Sequence, residues 1–186
     1  MDVKKMKLPG CLMLCPRVIM DERGFFVKTF VDDEYRALGL PTQFVEEYHT
    51  HSAPGVIRGL HFQIPPYEYA KLVECIYGNM KDVILDMRVG SPLYGQVEVI
   101  ELDARNGRLL YLPSGIAHGF LAHTEVMVGY KVTSPHAAEF DKGIRWNSIP
   151  VDWGVDNPIV SARDRSFPAW DEFVSPYKYQ PMETSG

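Results

Sequence analysis

Closely spaced turns are the strongest constraint on how this chain folds. Asp21-Glu22-Arg23-Gly24, Ala53-Pro54-Gly55, Ile64-Pro65-Pro66, Val89-Gly90-Ser91-Pro92, Asn106-Gly107 and Pro113-Ser114-Gly115 all carry turn chemistry. Between them lie short runs rich in valine, isoleucine, leucine, tyrosine and phenylalanine. The clearest span 25–30, 56–62, 71–77, 81–87, 97–102, 108–112, 119–123 and 126–133. Strands at this spacing predict an all-β, mainly antiparallel sandwich or barrel. One short helix is predicted over 33–38, with Asp32 as its cap, Glu34 in its first turn and Gly39 ending it. From about residue 155 the chain holds Pro158, Pro168, Pro176 and Pro181, and reads as an irregular segment laid over the sheet. With no repeat or linker, the 186 residues are expected to form a single domain, 1–186, whose mouth or interior takes a small molecule.

The bulk numbers exclude several classes of function. A hydrophobic share of 46% and a charged share of 23% are those of an ordinary soluble globule. A net charge of −5, without a lysine or arginine run, argues against nucleic acid as a partner. No stretch approaches the apolar length of a membrane span, and Met1-Asp2-Val3-Lys4-Lys5 lacks the apolar core of a signal peptide, so the expected compartment is the cytoplasm. Cys11, Cys15 and Cys75 form no C-x-x-C pair. They read as buried small hydrophobes rather than a disulfide frame or zinc site.

The candidate chemistry centres on Arg58-Gly59-Leu60-His61-Phe62-Gln63 and Lys71. Strict alternation places Arg58, Leu60 and Phe62 on one face and Gly59, His61 and Gln63 on the other. His61 then points into a cavity while its apolar neighbours pack elsewhere, a suitable setting for a general base. With Asp164 as orienting carboxylate, Tyr130 as acid and Lys71 as a charge beside an enolate, the side chains form a coherent set for proton abstraction and return next to a carbonyl. Arg23 and Arg58 are candidates for bidentate contacts to a diphosphate. Each residue also has a plain structural reading: Tyr130 as a core tyrosine, Lys71 as a solvated strand end, Asp164 as a cap, and Arg23 as a turn residue paired with a neighbouring acid. His49-Thr50-His51 sets two histidines on one strand face, and His118 and His123 add further nitrogens. The spacing lacks a nearby glutamate, and the expectation is no metal.

Taken together, these segments resemble the dTDP-4-dehydrorhamnose 3,5-epimerase family, nucleotide-sugar enzymes with a cupin-type jelly-roll fold. The resemblance runs from about residue 16 to 168. It is carried by Asp21 through Phe26, Gly55 through Gln63, Lys71-Leu72-Val73, Asp82 through Arg88, Gly90-Ser91-Pro92 and Leu112-Pro113. It continues through Ala117-His118-Gly119-Phe120, Tyr130-Lys131, Gly143 through Asn147 and Ser161 through Asp164. It implies His61 as base, Asp164 as its partner, Tyr130 as the acid on the opposite face and Lys71 as the enolate-stabilising charge. It further implies Arg23 and Arg58 on the diphosphate, and Asp82 and His118 at the sugar pocket; Gln63 is expected among the substrate-binding residues. The implied activity inverts C3, C5 or both in a 4-keto-6-deoxyhexose for deoxysugar biosynthesis. It implies no metal or organic cofactor, and a homodimer whose N-terminal strands cross between subunits.

The departures lie at the base-binding end. The family usually has a glutamine and an asparagine where this chain has Glu46 and Tyr48, two adjacent tyrosines where it has Pro135 and His136, and a glutamate where it has Lys28. Phe26 stays available to stack on a base. A carboxylate only accepts hydrogen bonds, so Glu46 suits the exocyclic amine of cytosine or guanine. The expected substrate is thus a nucleotide-diphosphate sugar carrying dTDP, with CDP or GDP as alternatives. Two other functions stay open: a metal-dependent cupin oxygenase or isomerase using His49, His51, His61 and His118, and a non-catalytic sugar-binding barrel.

Overall fold

The structure, a computed structural model, describes residues 1–181; residues 182–186, the end of the expected domain, lie outside it. In chain order the first strands are β1 (Asp2–Lys5), β2 (Leu12–Cys15), β3 (Val18–Asp21) and β4 (Gly24–Val27). Helix α1 (Asp32–Ala37) leads to β5 (Glu46–Ser52), β6 (Ile57–Gln63), β7 (Lys71–Tyr77), β8 (Asn79–Asp86) and β9 (Val97–Asp103). Then come β10 (Leu109–Leu112), β11 (Ile116–Ala122), β12 (Val126–Val132), β13 (Asp141–Gly143) and the short helix α2 (Ala162–Arg165). A six-stranded sheet has the order β1-β2-β10-β7-β12-β5, a five-stranded sheet the order β13-β6-β11-β8-β9, and β3 pairs with β4 as a separate hairpin. Pairing between these strands is antiparallel throughout. The fold is a jelly roll of the cupin type.

Side-chain alternation builds three apolar layers from these two sheets. Val73 and Cys75 of β7, Val126 and Val128 of β12, Met80 and Ile84 of β8, and Phe120 of β11 meet between the sheets. Alternate residues of the five-stranded sheet, such as Leu60, Phe62, Val83, Leu85 and Leu121, face outward. There Ile144, Ile149, Trp153, Val160 and Tyr177 of the later chain cover them. On the outside of the six-stranded sheet, Leu14, Leu72 and Leu109 are covered by Tyr35 and Leu40, at and beyond α1. Covering both faces of the five-stranded sheet leaves β8 and β11 almost continuously buried.

Some local expectations change. Asp32 does not cap α1: Val31 holds that position without a side-chain bond, and Asp32 lies inside the helix, paired with Arg36 at 2.6 Å. The i,i+4 ion pair replaces the cap. Gly39 follows the helix with φ of 68° and ends it as expected. The run 25–30 is a strand only as far as Val27. Strands β1, β5 and β13 carry polar or charged residues because they lie at sheet edges, so apolar runs do not mark them. Cys11 and Cys75 are buried as expected, whereas Cys15 is only partly so. From 156 to 181 the chain is irregular apart from α2, one 3-10 turn and two isolated bridges. Among the described residues no helix is long and apolar enough to cross a membrane.

Candidate functional site

A cavity of about 410 Å³ opens between the sheets. One wall is β6. His118 of β11 pairs with His61 and Phe120 pairs with Arg58, so two residues of β6, Gly59 and Leu60, stand opposite the single residue Gly119. This bulge changes the facing predicted by strict alternation. Arg58 joins His61 and Gln63 on the cavity side, while Ile57, Leu60 and Phe62 pack outside. The two glycines make the close approach possible: a Cβ on Gly59 would lie 2.5 Å from Gly119 Cα, and one on Gly119 would lie 2.7 Å from the Arg58 carbonyl oxygen.

Asp164 reaches this wall from α2, which Ser161 caps by accepting from the Asp164 N–H at 3.0 Å. The other Asp164 oxygen accepts from the Gly59 N–H at 3.0 Å, and Oδ1 lies 3.0 Å from His61 Nε2. Burial works to raise the Asp164 carboxyl, but the bonds from His61 and the Gly59 N–H hold it below its ordinary value. A charged carboxylate therefore takes the Nε2–H, leaving the Nδ1 lone pair of His61 for chemistry. His61 is 28% exposed at its side chain, open enough to meet a ligand.

The opposite wall comes from the six-stranded sheet. Lys71 starts β7 and Tyr130 lies in β12, with both side chains buried and facing the cavity. Lys71 Nζ lies 5.6 Å from the Tyr130 ring centroid and 5.3 Å from that of Tyr69. Burial lowers the Lys71 ammonium to about 8, against the pull of Asp82 and Asp141. Burial raises the Tyr130 phenol. At the cavity floor His118 Nε2 meets Asp82 Oδ2 at 2.7 Å, both side chains fully enclosed, and burial lowers the imidazole despite the carboxylate. Asp82 thus reaches the cavity only through His118.

Around the mouth the expected binding residues divide. Arg58 lines the cavity and is steadied by Ser52 Oγ at 2.9 Å and the His51 carbonyl at 3.0 Å. Glu46 and Tyr48 also line it; Glu46 accepts from the His136 N–H at 2.9 Å, and Tyr48 stacks on Tyr130 with centroids 4.9 Å apart. Gln63 borders the cavity, yet its amide is committed to the protein. It donates to the carbonyls of Tyr67 (2.7 Å) and Pro135 (3.0 Å) and accepts from the Ala137 N–H (2.6 Å). Residues that the sequence did not mark as part of the site also line the space, among them Thr50, Tyr69, Asp141 and Arg163, the last two joined at 2.6 Å. Alternation from Tyr48 would have found Thr50. Asp141 and Arg163 carried no signal beyond their closeness to Gly143 and Asp164.

Arg23 and Phe26 are not brought to this cavity. They sit on the β3–β4 hairpin, where Arg23 is exposed and bound to Asp21, and Phe26 is 56% exposed. His49 and His51 alternate out of phase with Tyr48 and Thr50 and leave from the outer face of β5, His51 pairing with Glu125 at 2.9 Å. The four histidines of the metal-dependent alternative therefore do not converge.

The fold has known counterparts. Residues 5–172 match the family model described as dTDP-4-dehydrorhamnose 3,5-epimerase. The chain belongs to the dTDP-4-dehydrorhamnose 3,5-epimerase family. A relative of that name from Shigella flexneri is 39% identical over 88% of this chain and 93% of its own, and one from Methanothermobacter thermautotrophicus is 40% identical over 88% and 91%. A crystal structure of the Bacillus anthracis epimerase with TDP and PPi bound superposes with a TM-score of 0.87 at 37% identity, covering 90% of this chain and 98% of that one. The Legionella pneumophila structure in complex with dTDP-4-keto-L-rhamnose gives a TM-score of 0.90 at 29% identity, covering 96% and 98%. Membership makes this epimerase-family chain an enzyme of the isomerase class.

Proposed function

We propose that this epimerase acts in the cytoplasm, as one domain, on a nucleotide-diphosphate-linked 4-keto-6-deoxyhexose, with dTDP as the carrier, and inverts C3 and C5 through an enolate. The observation that carries this reading is that His61, paired with Asp164 of α2, and the Tyr130–Lys71 pair stand on opposite walls of one cavity, His61 on the five-stranded sheet and the other two on the six-stranded sheet. Inversion needs that division: a proton leaves one face of the carbon and another arrives on the opposite face. His61 Nδ1 takes the proton at the carbon beside the ketone, and the C–H electrons move toward the C4 oxygen. The Lys71 ammonium stabilises that oxygen. Tyr130 O–H then protonates the carbon from the other wall, leaving phenolate and imidazolium, which exchange with solvent before the next cycle. Arg58 holds the diphosphate.

The active form in this reading is a homodimer. Arg23 and Phe26 do not line their own cavity, and Met20, Phe25 and Phe26 leave an apolar hairpin exposed. A partner's cavity would take them, Phe26 against the base and Arg23 at the diphosphate. A CDP or GDP carrier is the second reading, favoured by Glu46, which presents a carboxylate to the cavity where it would accept from an exocyclic amine.

Deuterium incorporation tests both. The protein is incubated in D2O with the dTDP, CDP and GDP forms of 4-keto-6-deoxyglucose, and C3 and C5 are followed by NMR. Fast labelling with inversion is expected for dTDP. Faster labelling of the CDP or GDP form would transfer the assignment to Glu46-directed recognition. His61→Asn should slow exchange by about 10³-fold while nucleotide binding persists; unchanged exchange would remove His61 as the base.

A further inference from the structure

Thr50 lies in the middle of β5 and lines the cavity, while its chain neighbours His49 and His51 leave on the other face. Its hydroxyl is buried and has no hydrogen-bond partner among the described residues. Natural proteins seldom leave a buried hydroxyl unpaired without a use for it. The strand register shows what stands beside it. Tyr48 pairs with Tyr130 and Thr50 with Val128, so Thr50 and Tyr130 are diagonal neighbours on one sheet face. The other groups around the Tyr130 ring are Tyr48 stacked on it, His118 edge-on at 6.0 Å and the Lys71 ammonium. Burial drives the phenol upward, and the Thr50 hydroxyl is the first influence opposing that shift, so it favours the charged form of the ring oxygen. In the resting protein the pair stops short of full hydrogen-bond geometry, and the Thr50 hydroxyl has no partner among the described residues.

We propose that Thr50 is a positioning residue for the acid: its O–H donates to the Tyr130 oxygen as that oxygen loses its proton. This rests on the reading of Tyr130 as the acid. The step balances within the groups named. The Tyr130 O–H bond breaks and a C–H bond forms on the enolate carbon. The negative charge passes from the C4 oxygen to the phenolate, where the Thr50 hydroxyl receives it. Solvent later returns a proton to the phenolate, and the His61 imidazolium gives one up. Without Thr50 the enolate still forms, because His61 and Lys71 are untouched, but it waits longer for its proton. It then collects deuterium from the His61 side and returns to the starting configuration.

The experiment compares exchange with inversion. Wild type, Thr50→Val, Thr50→Ala, Thr50→Ser and Tyr130→Phe are incubated in D2O with dTDP-4-keto-6-deoxyglucose. NMR then separates deuterium gained with retention from deuterium gained with inversion. Thr50→Val, which keeps the shape, should slow inversion about ten- to a hundredfold. Its labelling with retention should persist and KM should hold. Thr50→Ser, which restores a hydroxyl, should recover inversion to within about threefold of wild type. Thr50→Ala gives the same reading if the valine variant folds poorly. Wild-type inversion in both hydroxyl-free variants would overturn the proposal, as would a serine variant as slow as valine. Equal loss of exchange and inversion would also overturn it, since that points to binding or packing. Tyr130→Phe separates the layers. If it abolishes inversion while Thr50→Val does not, the Thr50 role fails alone; if Tyr130→Phe inverts normally, the acid is elsewhere and both fail.

Discussion

Burial lowers the Lys71 ammonium to about 8, so this residue loses its charge only slightly above neutral pH. Its proposed work requires the protonated form. In the free enzyme kcat/KM should therefore fall with unit slope as pH rises through about 8. In the substrate complex the diphosphate and the developing enolate favour the ammonium, so the same limb in kcat should lie at higher pH. Lys71→Met should lower kcat/KM about a hundredfold and remove the limb. A wild-type kcat/KM that stayed level to about pH 9 would deny Lys71 that role. At this scale the sequence carried much of the site through alternation and family likeness. His61, Lys71 and Tyr130 all lie on the cavity faces of their strands. Asp82, which the family likeness placed at the sugar pocket, stands behind His118, because likeness of sequence marks a position and not its depth.

Between residue and fold lies the bulge at Gly59, which strict alternation could not reveal. Counting by twos puts Arg58 with Leu60; the extra residue opposite Gly119 puts it with His61. The sequence signal was the glycine itself, since an isolated glycine in a strand marks a bulge or a close backbone approach. The far end of the same strand is tied differently. The Gln63 amide joins the segment carrying Tyr67 to the one carrying Pro135 and Ala137, and Tyr69 and His136 of these segments line the cavity. Gln63→Met keeps the length and breaks all three bonds. It should cost about 2–4 kcal/mol of stability, since three backbone groups are left without their partner. Hydrogen exchange in the ligand-free protein should then speed up together in 64–70 and 134–140. KM should rise about tenfold with kcat within about twofold, because the three lost bonds hold the segments at the mouth and none of them is made to His61, Lys71 or Tyr130. A raised KM with unchanged exchange in both segments would make Gln63 a direct substrate contact instead.

At the scale of the molecule, turn spacing was enough to read an antiparallel β fold, because frequent reversals leave room only for short strands. It could not say which strands face each other across the core. That depends on long-range pairing, such as β10 between β2 and β7. Nor could it place the β3–β4 hairpin, whose Ile19, Met20, Phe25 and Phe26 stay exposed among the described residues. If two chains exchange hairpins, each cavity is composite, with His61 from one subunit and Arg23 from the other. Sedimentation should then give twice the 21.1 kDa of one chain. Mixing variants tests the exchange directly. Homodimers of His61→Asn lack the base, and homodimers of Arg23→Ala bind the diphosphate weakly. In a mixed dimer one cavity inherits both defects, while the other has His61 from one chain and Arg23 from its partner and is complete. After unfolding and refolding equal amounts together, half the dimers are mixed, so activity should return to about a quarter of wild type. If each hairpin served its own chain, every cavity in the mixture would keep one defect. Activity would then stay at the average of the two parents, and Arg23 would belong to the surface turn that its Asp21 partner already describes.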